Sequence, residues 1–387
     1  IGLSAGSTVL IGQAWGAQNL EKVRSVVGST LFMTLIGGSV IAFLGVLFAK
    51  QILLLLGIDP EIMHLSLPYV QWMMAGSPLL FVYIIYTSIL RGVGDSITPL
   101  IALGMTSIIG FVITPILIAG YFGFPKLGII APAIASIIGY AAVLLFLMVY
   151  LNKKHHPLRP DAELFRHIRH QPELSRIILS LGIPTGIQMV TTSVAGLVII
   201  GLVNRYGSEA TAAYGAVNQV LNYIQFPALS ISIAASIFAA QAIGAGKADL
   251  LTKVTRTALR MNIIITGILV ILAYLFSKYL MALFITDPEV VALGQQLLFI
   301  VLWSILFFGA SAIFASIMRA SGTVNIPMLI NIAAIVLIEV PCAYLFSQWF
   351  GLKGIWYGYA LAFVSLCIMQ GLYYQLVWKK KTVKTLI

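Results

Sequence analysis

One acidic residue, Glu339, lies in the middle of an apolar stretch long enough to cross a bilayer, whereas the other eleven fall in loops or at the ends of such stretches. It follows Pro327 by twelve residues, about 18 Å along a helix and near the bilayer centre. A carboxylate there is costly, and the low dielectric favours its neutral form. We therefore expect Glu339 to bind a proton or a sodium ion. Pro341 leaves the Leu337 carbonyl without its helical donor, free for an ion or water. The alternative role for Glu339 is a structural hydrogen bond to a neighbouring helix.

Polar side chains at helical spacing accompany this acid. Residues three, four or seven positions apart share one helix face. The predicted cavity-lining residues are Gln188, Thr191, Thr192, Asn218, Asn222, Gln225 and Asn331. Such groups avoid lipid, and they either line a cavity or form hydrogen bonds between helices. The sequence leaves both roles open.

The elements that must position these groups are membrane-spanning helices. The 387 residues are 60% hydrophobic and 9% charged, and so few charges do not cover a water-facing surface. Within a bilayer every backbone group must be satisfied inside its own segment, so the apolar runs are predicted to be helices. The ten predicted spans are approximately 26–49, 66–90, 97–120, 127–151, 178–203, 212–240, 258–281, 293–317, 327–347 and 354–378. The predicted fold class is an all-α membrane protein.

Basic residues divide unequally between the two ends of these spans. Eighteen of the 23 Lys and Arg residues lie at one set of ends. The five at the opposite set are Lys50, Lys126, Arg205, Lys278 and Lys353. The positive-inside rule assigns the basic set to the cytoplasm. This assignment explains the net charge of +11 without nucleic-acid binding. It also predicts a multi-pass protein of the inner (plasma) membrane with a cytoplasmic linker and C-terminus.

Three sequence anchors recur at a single offset of 228 residues. The matched pairs are Gln13–Ala17 with Gln241–Ala245, Asp59–Glu61 with Asp287–Glu289, and Arg91–Pro99 with Arg319–Pro327. We therefore predict two parallel six-helix repeats, of which the first lacks its first helix and part of its second. The predicted divisions are an N-terminal half-bundle (1–151), a cytoplasmic linker (152–177) and a C-terminal half-bundle (178–387). Parallel repeats are typical of secondary transporters, which bind substrate between their halves.

The repeated motifs resemble those of the multidrug and toxic compound extrusion (MATE) family. The motif positions are Gln13, Gly16, Arg91, Gly94, Asp95 and Pro99, then Gln241, Gly244, Arg319, Gly322 and Pro327. The resemblance implies a twelve-helix carrier, not an enzyme, that exports organic cations or amphiphilic drugs in exchange for protons or sodium by alternating access. We expect the motif residues to serve the fold and the gate, with the glycines at tight turns and Arg91 paired with Asp95.

No coupling acid carries over from this family to the chain. Many members of the family have a carboxylate on a first helix that is missing here. Others carry a Glu on the seventh helix, where this chain has Thr191 and Thr192, and an Asp near the tenth. In addition, Thr323 stands where the first repeat has Asp95. Glu339 is therefore predicted from its depth and the cost of burying it, and not from the resemblance.

Two alternative functions remain, a flippase for a lipid-linked oligosaccharide and a non-transporting receptor or scaffold. A flippase needs a strongly cationic cavity, whereas no Lys or Arg is placed deep within a predicted span. The repeat and Glu339 argue against a receptor. We expect a small-molecule substrate and the lipid bilayer as partners, and no metal or cofactor beyond the coupling ion. The linker histidines lie among arginines, and we predict a solvated basic segment that contacts anionic lipid. They are His155, His156, His167 and His170.

Overall fold

Helices form every regular element of this chain, as a computed structural model of residues 1–387 shows. Ten helical segments are long and apolar enough to cross a membrane, and each overlaps one of the ten predicted spans. The prediction of an all-α membrane protein is therefore confirmed. The chain forms two units, Ile1–Gly182 and Ile183–Ile387.

The first unit contains seven helices and the beginning of an eighth. They are α1 (Gly2–Gly16), α2 (Leu20–Leu47), α3 (Ala49–Leu55), α4 (Pro60–Gly92), α5 (Ile97–Ala119), α6 (Ala131–Lys153), α7 (Ala162–His167) and α8 (Pro172–Val203), which continues into the second unit. Helix α4 packs against α1, α2 and α6, and α5 pairs with α6. The long central helix α4 is thus the one around which the first unit is assembled.

The second unit continues with eight more helices. They are α9 (Ser208–Gly244), α10 (Leu250–Leu275), α11 (Ser277–Ala282), α12 (Pro288–Val301), α13 (Ile305–Ala320), α14 (Asn325–Ala333), α15 (Val340–Phe350) and α16 (Leu352–Leu376). A π-helical segment, Ala334–Glu339, joins α14 to α15. Helix α9 packs along α10 and α13, and α15 packs along α16. Gly354 and Gly358 of α16 touch the backbone of α15, so these two helices approach closely.

The aspartates of one matched anchor begin helices in the same way in both units. Asp59 caps α4 by accepting a hydrogen bond from the Glu61 N–H at 2.9 Å, and Asp287 caps α12 through the Glu289 N–H at 2.9 Å. A proline follows each aspartate at the first helical position, where its missing N–H is not needed. Identical local sequence therefore gives identical local structure at positions 228 residues apart.

The left-handed turn after α1 and after α9 is not made by the motif glycine that we expected. Gly16 and Gly244 are the last residues of these helices. The residue with positive φ lies two positions later, Gln18 with φ 57° in the first copy and Gly246 with φ 70° in the second. The prediction that Gly16 and Gly244 supply the turn was wrong, because the helix extends through both of them before the chain reverses.

Residues 154–171, which we call the strap, fold back onto the first unit. The side chains of Leu158 and Leu164 are 0% and 2% exposed. The Tyr86 hydroxyl donates a hydrogen bond to the Leu158 carbonyl at 2.6 Å, and Arg24 of α2 pairs with Asp161 at 3.3 Å. Two buried leucines and an ion pair therefore hold the strap against the first unit. Most of its basic side chains are exposed, as expected of a solvated basic segment: Lys154, His155, Arg166, Arg169 and His170.

Candidate functional site

Glu339 lies at the centre of a helical run that extends from Asn325 to Phe350. It is fourteen residues from Asn325 and eleven from Phe350, which correspond to about 21 Å and about 16 Å. Glu339 is also the last residue of the π-helical segment, whose widened turn is shown by the bond from the Val340 N–H to the Ile335 carbonyl. Such segments occur frequently at functional sites.

Proline explains why the regular hydrogen bonding stops beside this acid. Pro341 has no N–H, so the Leu337 carbonyl receives no α-helical donor and the Val336 carbonyl receives no π-helical donor from this position. The helix therefore lacks one of its regular backbone donors next to Glu339. Carbonyl groups at interrupted membrane helices are ligands for sodium ions and protons in secondary transporters.

The Glu339 carboxylate has no basic partner. All four ion pairs of the structure lie in the first unit. The carboxylate acts electrostatically on the Tyr359 hydroxyl of α16, which in turn lies 3.1 Å from the Tyr214 hydroxyl of α9. Glu339 is thus a partly buried acid at mid-span that forms no ion pair with a basic side chain.

A cluster of polar aromatic side chains surrounds this pair of hydroxyl groups. The Trp356 ring lies between Tyr214 and Tyr359, with ring centroids 5.4 Å and 5.5 Å away. Trp356 is 0% exposed, and its indole N–H has no hydrogen-bond acceptor. An unsatisfied buried donor costs about 1–3 kcal/mol. We refer to Tyr214, Trp356 and Tyr359 as the Tyr–Trp cluster.

Asn331 forms a second polar position on the same helical run. Its side-chain oxygen is buried and accepts no hydrogen bond. Gln370 of α16 donates to the Pro327 carbonyl, one turn from Asn331, at 2.9 Å, while its own side-chain oxygen accepts none. Asn331 precedes Glu339 by eight residues, or about 12 Å. Asn331 and Glu339 are therefore separated by about two turns of the same helical run.

Several other predicted cavity residues form hydrogen bonds within their own helices. Thr191 and Thr192 each donate to the carbonyl four residues earlier at 3.0 Å, and Asn218 donates to the Tyr214 carbonyl at 3.0 Å. The last contact places Asn218 one turn from the Tyr–Trp cluster. The remaining predicted residues are Gln188 and Gln225, which are half-buried, and Asn222, which is exposed.

The motif loop of the first unit has partners other than those we expected. Arg91 donates to the Ser88 hydroxyl at 2.8 Å, whereas Asp95 accepts from the Thr98 N–H at 3.0 Å. Asp95 also lies 3.7 Å from His156 of the strap. The predicted ion pair between Arg91 and Asp95 is therefore absent, because each side chain is engaged by a nearer group.

Glycine forms the turn of this loop in both units, as predicted. Gly94 has φ 93° and Gly322 has φ 86°. Helices α5 and α14 follow, with Pro99 and Pro327 at their third residue, where the prolines are buried. Gln13 is also buried, and Gln241 and Arg319 are half-buried. These placements agree with a structural role for the motif.

Comparison with known proteins places this fold in a family. The MatE family model matches residues 1–116 and 184–345. The chain belongs to the MatE family. The probable multidrug resistance protein YoeA of Bacillus subtilis (strain 168) is 46% identical over 390 residues, covering 100% of this chain and 84% of the relative. The probable multidrug resistance protein NorM of Thermotoga maritima is 25% identical over 389 residues, covering 100% of this chain and 83% of the relative.

Solved structures share the fold of this MatE chain. The crystal structure of a MATE protein in the bent conformation superposes with a TM-score of 0.88 at 20% identity, covering 97% of this chain and 82% of that one. The bent form of the Vibrio cholerae MATE transporter VcmN gives a TM-score of 0.87 at 19% identity, covering 98% and 84%. Because MatE is a family of transporters, this chain is a multi-pass membrane transporter of small molecules and not an enzyme.

Proposed function

We propose that this MatE protein is a secondary exporter of organic cations or amphiphilic drugs, with Glu339 as its coupling carboxylate. Entry of protons or sodium ions would drive export by alternating access. One observation carries the proposal. Glu339 is an acid at mid-span, at the end of a π-helical segment that Pro341 follows, and no basic side chain pairs with it.

The physical reason is the cost of an unpaired charge within a membrane. An ionised carboxylate at that depth is stabilised when a proton or sodium ion binds, because the group then becomes neutral. A cationic substrate neutralises it equally well, so ion and substrate compete for one charge. This competition is the coupling that an exchanger requires. The Tyr359 hydroxyl is a polar group on which the Glu339 carboxylate acts electrostatically.

The sign of this charge also favours a cationic substrate. Glu339 is the acidic residue at mid-span, so the second unit attracts cations there. Relatives named multidrug resistance proteins agree with this substrate class. A relative from Shewanella oneidensis, 26% identical, is named an FAD transporter. The cargo in that name, FAD, is anionic. A flippase for pyrophosphate-linked sugars requires a basic centre and is not favoured.

We propose that the helices cross the plasma membrane. The basic ends of the helices, the strap and the C-terminus then lie in the cytoplasm. The support is the division of basic residues, eighteen against five, between the two sets of ends. Export then moves substrate toward the end that carries Arg205 and Lys353.

Transport in everted membrane vesicles tests the proposal. Ethidium uptake by the full-length protein is measured under an imposed proton or sodium gradient for wild type, Glu339→Gln and Glu289→Gln. Glu289 is the control because it is an exposed acid at the start of α12. We expect Glu339→Gln to abolish gradient-driven uptake at normal expression and Glu289→Gln to preserve it. Uptake by Glu339→Gln at the wild-type rate would show that the coupling acid lies elsewhere. No uptake of any organic cation by wild type would contradict the exporter.

A further inference from the structure

An apolar groove in the second unit runs from the middle of the membrane region to one end of α8. Its volume is about 520 Å³, and its lining contains a single charged side chain, that of Arg205. Leu197, Val198 and Gly201 of α8 form one wall, and Pro341 and Tyr344 of α15 form the other. The volume falls within the roughly 300–1,000 Å³ of small-molecule sites.

The length of the groove corresponds to one leaflet of a bilayer. On the α15 side its lining includes Pro341, two residues beyond Glu339 and therefore near mid-span. Its outer end is at Arg205, just beyond the last residue of α8. From Leu197 to Arg205 the chain advances eight residues, or about 12 Å, close to the roughly 15 Å of hydrocarbon in one leaflet.

Small residues and one hydrogen bond keep this space open. A Cβ atom on Gly201 would meet no atom within 4 Å, so the absence of a side chain there leaves room that nothing else fills. Beyond Arg205, the Tyr206 hydroxyl donates to the Ser347 carbonyl at 3.0 Å and ties the end of α8 to α15. The two walls are therefore held together at the membrane surface while the groove below them stays wide.

The charge at the outer end is available for a ligand. Arg205 is exposed and forms no ion pair, since all four pairs lie in the first unit. Glu209, one turn further along the chain, is not within ion-pair distance of it. A guanidinium group binds phosphate through two parallel hydrogen bonds, which suits a phospholipid head at the membrane surface.

We propose that this groove binds an acyl chain of an anionic phospholipid whose phosphate is held by Arg205. The apolar walls fit the acyl chain, the length fits one leaflet, and the charge fits the head group. The end with few basic residues faces outward by the positive-inside rule, so the lipid belongs to the outer leaflet. Its chain end then lies beside Val340 and Pro341 and keeps water away from this side of the Glu339 segment.

Lipid retention measured by native mass spectrometry tests this site. The purified full-length protein is titrated with phosphatidylglycerol or phosphatidylethanolamine, for wild type, Arg205→Gln and Gly201→Leu. The controls are Lys278→Gln, an exposed cation on the same side that lines no part of the groove, and Gly215→Leu, an open glycine on α9. We expect phosphatidylglycerol affinity to fall about tenfold in Arg205→Gln, the loss expected for a charged hydrogen bond. Affinity should also fall in Gly201→Leu, because the leucine side chain occupies the groove, and should stay unchanged in the controls.

Three results would overturn the proposal. If wild type and Arg205→Gln bind phosphatidylglycerol equally well, Arg205 does not hold the phosphate. If wild type binds phosphatidylglycerol and phosphatidylethanolamine equally well, the site does not select an anionic head group. Loss of ethidium binding with full lipid binding in Gly201→Leu would assign the groove to substrate. Thermal unfolding shows whether Gly201→Leu folds. If Gly201→Leu does not fold, the lipid affinity of Arg205→Gln tests the proposal by itself. Lipid binding requires no transport, so its outcome is independent of the coupling role proposed for Glu339.

Discussion

Replacing Asp161 with asparagine separates two roles that this carboxylate has in the strap. One side-chain oxygen caps α7 by accepting from the Leu164 N–H at 2.8 Å. The other lies 3.3 Å from the Arg24 guanidinium and 3.1 Å from that of Arg159. Asparagine caps a helix as well as aspartate does. Asp161→Asn therefore keeps the cap and removes the negative charge.

The size of the destabilisation expected for Asp161→Asn follows from the burial of Arg24. Its side chain is 9% exposed, so the guanidinium depends on its acidic partners. Removing one partner from a buried pair costs about 3–5 kcal/mol, and an exposed pair is worth about 0–1 kcal/mol. Because Glu163 also pairs with Arg24, part of the compensation remains. We expect Asp161→Asn to destabilise the first unit by about 2 kcal/mol, between these two limits. Asp161→Ala should lose about 1 kcal/mol more through the cap.

The pH dependence gives the same variant a second test. Burial raises the pKa of Asp161, but the Leu164 amide, Arg159 and Arg24 lower it further, so the pKa lies below its ordinary value of 3.8. A lowered pKa stabilises the fold above pH 3.8, and this stability is lost as the pH falls through the folded-state pKa. The difference between wild type and Asp161→Asn should therefore shrink in acid.

Thermal unfolding of the purified full-length protein, followed by tryptophan fluorescence, measures both effects. A loss of about 2 kcal/mol corresponds to a fall in Tm of about 4–8 °C for a unit of this size. Glu163→Gln is the control, because its side chain is 62% exposed and its removal should cost below about 1 kcal/mol. A Tm for Asp161→Asn within about 1 °C of wild type at pH 7 would refute the ionic role of the strap.

Three further test substitutions, two of them with a control variant, examine packing and protonation by the same Tm measurement. Gly358→Ala places a Cβ atom 2.7 Å from a backbone nitrogen of α15 and should lower Tm, whereas Gly215→Ala, which meets nothing within 4 Å, should be neutral or stabilising by up to about 1 kcal/mol. Leu158→Ala empties a fully buried position and should cost about 2–5 kcal/mol, against less than about 0.5 kcal/mol for exposed Phe165→Ala. Burial lowers the pKa of His156 below 6.5, so wild type should lose stability as the pH falls below 6.5, and His156→Gln should lose less.

The spans and their capped starts were predictable from sequence because their causes are local. An apolar run must become a helix wherever a bilayer supplies no hydrogen-bond partners, which explains why the span predicted at 327–347 is found at 325–350. The Asp59–Glu61 cap involves residues two positions apart. Neither inference requires knowledge of what packs against the segment.

The strap could not be predicted, because its partners are far away in sequence. Arg24 and Asp161 are 137 positions apart. From the sequence alone, the arginines and histidines of this stretch predict only a solvated surface. The spacing of Asp161 and Leu164 is a local sign of a short capped helix, but it does not show which surface buries Leu164.

Part of the candidate site, Glu339 and Pro341, could be predicted from the sequence, whereas the Tyr–Trp cluster could not. The depth of Glu339 follows from counting residues, and Pro341 indicates an interrupted helix. The Tyr–Trp cluster was missed because tyrosine and tryptophan in apolar runs also serve as lipid-facing residues. Only packing reveals that the Trp356 N–H is buried without an acceptor. The three-residue spacing of Trp356 and Tyr359 was the available signal.

The two units hold equivalent loops by different chemistry. In the first unit, Asp95 lies 3.7 Å from His156, so a carboxylate and an imidazole join the loop to the strap. In the second unit, the Trp378 indole donates to the Ser321 hydroxyl at 2.9 Å and Leu386 packs on Gly322, so the loop is held without ion pairs. Protonation of His156 therefore places a positive charge beside Asp95 of the first loop, whereas the Trp378 and Leu386 contacts of the second loop carry no charge.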